Sequence, residues 1–489
     1  MELYELNLRD AAEGIKSKKF SSLELFDACL NRINKLEPDI KALITLTESE
    51  GREAAKAADA KIARGDELGV LEGVPVILKD NLCTRGIKTT AGSKILGEWR
   101  PPYDATVWKL LKEAGAVLMG KANLDEFAMG GSCQNSGYWP TKNPHDLTRV
   151  PGGSSGGSAA SVAAAYVPMA LGSDTGGSIR QPAAYCGIYG FKPTYGMVSR
   201  YGLISYGSSL DQIGPMARNV SDLQLAMSIL AQHDVMDSSS YREKNYDFTP
   251  NNNLKLNLKN KKVALVKEFK DFTLEEPIEQ AINKTKKVLE DAGAEIVEVS
   301  LPVIARYAVS CYYALAMSEA HTNLERYDGL RYGYTVKDSK GIKEMFTDVR
   351  TQGFGLEVKR RIIAGTCLTE PVRCDEYYVA ATKVRTLIAQ EFARAFNETD
   401  FILQPASPTL APKLGANNAD KMKEYEADLY TLPVNLAGLP GLSFFTGYDV
   451  DSKLPVGLQL IGARWSDADL LNAGLVLEEA LGSPDIAKL

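Results

Sequence analysis

The amino-acid sequence predicts an α/β protein built on one large β-sheet, mixed or mostly parallel, and three observations carry that expectation. Short apolar runs alternate with helical patterns: VPVIL at 74–78, a helical pattern at 104–114 closed by Gly115, then AVLM at 116–119. The same grammar returns at 263–266 (VALV), 277–292 and 295–299 (EIVEV), and late in the chain at 401–403 (FIL) and 456–461 (VGLQLI). With 489 residues, 45% of them hydrophobic and 24% charged, the chain carries enough apolar material for a large buried core.

Residues 1–65 read as a helical region packed on that core, and 66–489 as one domain. A helix is expected over 21–37, because Ser21 and Glu24 make a capping box and Leu23, Phe26, Leu30, Ile33 and Leu36 recur at helical spacing. Pro38 is expected to stop it. An alanine-rich helix follows over 52–64, with Gly65 after it. The polar stretch 237–262 reads as a long surface loop rather than a linker, since strand and helix patterns flank it on both sides.

Composition narrows the classes of function. No stretch approaches the roughly 18 apolar residues of a membrane span, and acidic residues stand where a signal peptide would be basic, so a cytoplasmic protein with no membrane role is expected. The seven cysteines (29, 83, 133, 186, 311, 367, 374) are scattered and form no CxxC pair, which points to reduced thiols and to no metal site. The formal charge is −6 with no lysine–arginine block, so any nucleic acid would be held mainly by another chain.

Two glycine–serine clusters stand out: PGGSSGGSAA at 151–160, running into an alanine-rich helix, and GSDTGGSIRQP at 172–182. Glycine lets successive N–H groups turn toward one point, as binding of an anion or a developing oxyanion requires. A solvated linker is the competing reading for either cluster alone, but both are flanked by apolar, core-like sequence. The first cluster also fits the G-x-S-x-G spacing of a nucleophile elbow. That motif needs a strand directly before it, and Pro144 and Pro151 oppose one. It also needs a downstream histidine, and only His233 and His321 follow, in contexts unlike a site. A serine nucleophile without histidine needs another base, and a lysine made neutral by desolvation is one physical option. Lys79 closes the apolar run GVPVIL and should stand at the carboxyl edge of the sheet, although a strand-end lysine can equally face solvent.

The ordered set GVPVILKDN, GGSSGGS and GSDTGGSIRQPAAYCGIYGFKPTYG resembles the amidase-signature family over nearly the whole chain, with Ser178 placed 24 residues beyond Ser154. The resemblance implies a large twisted mixed sheet surrounded by helices, with 66–489 as the catalytic domain. It implies Ser178 as nucleophile, Ser154 as a bridging serine with a cis peptide before it, and Lys79 as general base. The implied oxyanion hole is the backbone N–H groups of Thr175, Gly176, Gly177 and Ser178.

Within the family, GKANLDEFAMGGS at 120–132, the run at 141–160, SEAHTNLERYDGLRYG at 318–333, FGLEVKRRI at 354–362 and DLYTLPVNLAGLPG at 428–441 are most similar to the glutaminase subunits of tRNA-dependent amidotransferases. Such a subunit, as the resemblance implies, needs no cofactor of its own. It passes ammonia from glutamine to a B subunit that uses ATP and Mg2+ on mischarged tRNA, Glu-tRNA(Gln) or Asp-tRNA(Asn), and a small C subunit holds the pair together. The chain has no G-x-x-x-x-G-K-[ST] loop, which suits that division of labour. Arg361 and Asp428 match the positions that hold the α-carboxylate and α-ammonium of glutamine, and Tyr312 matches a third contact. The neighbouring Arg360 and Tyr313 are the alternatives at two of these, and a surface ion-pair network is the competing reading. Cys133 and Gln134, and His321 with Thr322, depart from residues common among relatives. A stand-alone amidase for small amides would share the three reacting residues without needing partners, and a scaffold of this fold would use none of them.

Overall fold

Two capped helices open the computed structural model, which describes residues 2–241, 247–248, 258–416 and 427–489. Asn7 accepts from the Asp10 N–H at the start of α1 (Leu8–Lys16), and Ser21 and Glu24 close a reciprocal capping box ahead of α2 (Ser22–Ile40). Pro38 does not end α2. It stands in the last turn, and the stop falls at Lys41, whose φ of 57° turns the chain left-handed while Glu37 accepts from the N–H groups of Ala42 and Leu43. β1 (Leu43–Leu46) follows, then α3 (Glu48–Arg64), which starts earlier than the alanine pattern suggests and ends at Gly65 with φ 76°.

The alternation expected from the sequence then appears: β2 (Pro75–Lys79), α4 (Thr106–Glu113), β3 (Val117–Ala122), α5 (Gly156–Ala163), β4 (Met169–Asp174), α6 (Arg180–Tyr185), β5 (Tyr189–Lys192), β6 (Gln212–Ala217) and α7 (Val220–Leu230). The second half holds β7 (Lys262–Val266), α8 (Glu276–Asp291), β8 (Glu295–Val299), α9 (Pro302–Leu324), α10 (Ile342–Gly353), α11 (Leu356–Thr369), α12 (Ala380–Ala395), β9 (Phe401–Pro405), α13 (Leu432–Leu436), β10 (Gly441–Tyr448), β11 (Pro455–Gly462) and α14 (Asp467–Leu481). Of the loop expected at 237–262, residues 242–246 and 249–257 lie outside the described residues.

The eleven strands form one mixed sheet in the order β1-β3-β2-β4-β6-β5-β10-β11-β9-β7-β8. β2 runs parallel to both β3 and β4, so all three deliver their carboxyl ends to the same edge. Lys79 closes β2 there, and Asp174, within the second glycine–serine cluster, closes β4. Helices sheathe the sheet. One hydrophobic core joins it to α2, α5, α7 and α14 around residues such as Phe26, Ile77, Leu171 and Leu442. A second, around Leu315, Val358 and Ile388, knits α9, α11 and α12 together over the carboxyl edge. Each fully buried Leu, Ile or Phe in these cores contributes about 1.5–3 kcal/mol relative to exposure.

Candidate active site

Lys79 is wholly buried, and its side chain reaches the start of α5. Nζ lies 2.8 Å from Ser154 Oγ, 2.9 Å from Ser155 Oγ and 2.9 Å from Ser173 Oγ. Ser173 Oγ also accepts from Asn81 Nδ2 at 3.0 Å. Burial pushes the Lys79 ammonium down to about 7, because the charged form loses its hydration; the nearby Asp125, Cys133, Asp174 and Asp211 oppose the shift. A lysine in this setting can exist as the free amine near neutral pH.

The Gly153–Ser154 peptide is cis, as the resemblance implies. Ser178 joins the group through its backbone, its carbonyl accepting from Ser155 N at 3.2 Å, and it lines a cavity at the sheet edge. No strand precedes Ser154 in the segment 144–153, so the nucleophile-elbow arrangement is not built here. His233 is exposed, and His321 contacts Thr366 and Glu325 between α9 and α11, outside the residues that line the cavity.

The loop Thr175–Ser178 is pinned from several sides. Thr175 Oγ1 donates to Asp211 at 2.6 Å, and Thr431 Oγ1 donates to the Gly176 carbonyl at 2.7 Å. Both glycines are required by space: a Cβ at 176 would meet Tyr312 Oη at 2.7 Å, and one at 177, where φ is +127°, would meet Thr431 Oγ1 at 2.4 Å. The Gly177 N–H donates to Asp174 Oδ1 at 2.7 Å, so of the four N–H groups expected to face an oxyanion, this one is committed to the protein. Thr175, Gly176 and Ser178 make up the rest of that set. Burial alone would raise the Asp174 carboxyl, but the bidentate Arg180 guanidinium, together with Lys192 and the Asn435 amide, holds the group well below the ordinary range.

The residues matched to glutamine recognition converge on the same cavity, which Ser178, Gly176, Tyr312, Arg361 and Asp428 line together with Tyr206 and Tyr313. Arg361 is buried and donates to Glu357 at 2.9 Å and to Tyr206 Oη at 2.6 Å, whereas Arg360 projects toward solvent from the other side of Glu357. Tyr313 Oη donates to Asp428 Oδ2 at 2.8 Å, and Tyr312 lies against Gly176. The free space among them is narrow, about 20 Å3. Of the departures, Cys133 is buried beside Asp125, and Gln134 accepts from Gly415 N at 2.7 Å, away from the cavity.

Several residues at the site escape sequence reasoning. Asp125 accepts from the N–H groups of Cys133 and Asn135 next to Gly153. Asp211, pushed up to about 6 by burial against the pull of its Thr175, Gly207 and Tyr206 donors, ties the Thr175 loop to the segment that carries Tyr206. Asp125 is visible within the GKANLDEFAMGGS motif, but only as a motif member without a role; Asp211 and Tyr206 carry no local signal.

A lysine and two serines gathered at the parallel edge of a large mixed sheet define the amidase class, and the chain belongs to the amidase family, whose model matches residues 24–471. It is 50% identical over 479 residues to the A subunit of glutamyl-tRNA(Gln) amidotransferase from Carboxydothermus hydrogenoformans, covering 98% of each chain. The crystal structure of the corresponding A subunit from Thermotoga maritima matches with a TM-score of 0.81 at 37% identity, over 100% of this chain and 98% of that one. Native peptide amidase from Stenotrophomonas maltophilia matches with a TM-score of 0.81 at 28% identity, over 99% and 98%. Among the described residues, no helix is long and apolar enough to cross a membrane.

Proposed function

We propose that this chain is the glutaminase subunit of a cytoplasmic tRNA-dependent amidotransferase, which takes ammonia from glutamine for conversion of Glu-tRNA(Gln) or Asp-tRNA(Asn). The observation that carries the reading is the buried Lys79 amine 2.8 Å from Ser154 Oγ, beside a cavity shared by Ser178, Arg361 and Asp428. Neutral Lys79 accepts a proton through Ser154 as Ser178 Oγ attacks the amide carbon. The developing oxyanion is met by N–H groups of the Thr175–Ser178 loop other than that of Gly177. The proton returns to the amide nitrogen, the C–N bond breaks, and ammonia leaves. Water then hydrolyses the acyl-enzyme, with Lys79 and Ser154 serving again as base and relay. Arg361 receives the substrate α-carboxylate and Asp428 the α-ammonium, with Tyr312 closing one side. A B subunit supplies the ATP- and Mg2+-dependent chemistry and most of the tRNA binding, and a small C subunit helps hold the pair together.

Ser178→Ala tests the reading: glutamine hydrolysis should fall at least about 10^3-fold while the complex with partner subunits persists. Normal turnover in that variant would sink the assignment. The likeness to peptide amidase favours one second reading, a stand-alone amidase, which purification without partner subunits and turnover of small amides without charged tRNA would support.

A further inference from the structure

Between the reacting group and the helix that carries Arg361 lies a buried carboxylate that the mechanism above does not use. Glu126 opens the short turn Glu126–Ala128 after β3 and is 2% exposed. Its Oε1 accepts from Ser93 Oγ, and its Oε2 accepts from the Gly355 N–H at 2.7 Å. Gly355 is the N-cap of α11, so Oε2 satisfies an N–H that the helix itself leaves without a partner, while burial pushes the Glu126 carboxyl up to about 7. The approach is tight: a Cβ at Gly355 would lie 2.3 Å from Glu126 Oε2.

The same segment faces the cavity on its other side, where Ala128, Gly130 and Gly131 form part of the lining. Phe127 adds a packing contact, its ring 5.8 Å from that of Phe354. Six residues beyond Gly355, about 9 Å along a helix, Arg361 enters the cavity. α11 is a stiff lever over that distance, so the contact at its first turn sets where the guanidinium stands. We propose that Glu126 is a positioning residue for glutamine, anchoring the first turn of α11 to the cavity wall so that Arg361 is held at the α-carboxylate position; this rests on the glutamine reading of the site.

The test compares wild type, Glu126→Gln, Gly355→Ala and the double variant, each as full chain assembled with its partner subunits. Glutaminase kcat and KM are measured, together with the rate at which phenylmethanesulfonyl fluoride, a small neutral reagent, labels Ser178. Gly355→Ala keeps every polar group and displaces only the carboxylate, so it decides the matter if Glu126→Gln does not fold. Each single variant should raise the glutamine KM about tenfold, the scale of one weakened hydrogen bond. kcat and the labelling rate should stay within about twofold of wild type, and the double variant should be no worse than the worse single one. An unchanged KM in a folded variant, or a fall in labelling rate equal to the loss in kcat/KM, overturns the proposal. Wild type that labels at Ser178 but does not hydrolyse glutamine overturns the glutamine reading itself, and the proposal with it.

Discussion

Lys79 shows how burial makes an ordinary side chain available as a neutral amine. An exposed lysine is protonated at neutral pH, whereas here loss of hydration lowers it to about 7 and the hydroxyls of Ser154, Ser155 and Ser173 accept or donate around it. With neutral Lys79 as the proposed base, kcat/KM for glutamine should rise about tenfold per pH unit below 7 and level off above it. A flat profile from pH 5.5 to 8.5 would contradict a lysine base. Lys79→Arg keeps the charge but cannot shed its proton, so it should lose about 10^2–10^4-fold in kcat, as a Lys79→Ala variant would. Lys79, Ser154 and Ser178 stood out in the sequence only as an ordered set carrying a family resemblance, since each alone admits a bland reading. Tyr206 did not, since the bond that gives it meaning spans 155 residues to Arg361.

At the scale of elements, the cavity depends on how closely α9 and α11 approach. A Cβ at Gly365 of α11 would lie 2.1 Å from the Met317 carbonyl and 2.8 Å from His321 Cβ on α9, so only glycine permits this crossing. Tyr312 rides on α9 and Arg361 on α11, and prying the pair apart moves both. Gly365→Val should cost about 1–3 kcal/mol in stability and raise the glutamine KM at least as much as loss of a substrate contact does. Thermal unfolding and steady-state kinetics on one preparation check both parts. Helices with strong caps, such as α2, were readable from the sequence. Strands β4, β5 and β6 were not: MALGSD, YGFK and QIGPMA carry glycine, serine or proline that imitates loop sequence, and only pairing with neighbours makes them strands.

Across the whole molecule, Arg180 acts as a junction. Its guanidinium pairs with Asp174 and also donates to Gln459 on β11, to the Thr431 carbonyl and to Asn435 on α13, so one buried cation ties the Ser178 loop to segments more than 250 residues away. Arg180→Met leaves Asp174 buried without its bidentate cation, and should cost about 3–5 kcal/mol in urea unfolding. The pH dependence has a definite sign. With its folded-state pKa depressed, Asp174 stabilises the protein fully above the ordinary carboxylate range near pH 4 and loses that contribution as pH falls below it. In Arg180→Met the acid-side loss of stability should flatten; an unchanged slope would place the acid sensitivity elsewhere.

The amino-acid sequence by itself determined the α/β class, the family, and the order and spacing of Lys79, Ser154 and Ser178, because those features reside in local pattern and in short segments whose residue types admit few other uses. Tertiary structure alone decided that β2 and β4 end side by side, that Arg361 rather than Arg360 enters the cavity, that the Gly177 N–H is spent on Asp174, and that Glu126 meets the first turn of α11. Nearly all of these are contacts between residues far apart in the chain, and they form once burial has removed water and left polar groups only one another as partners.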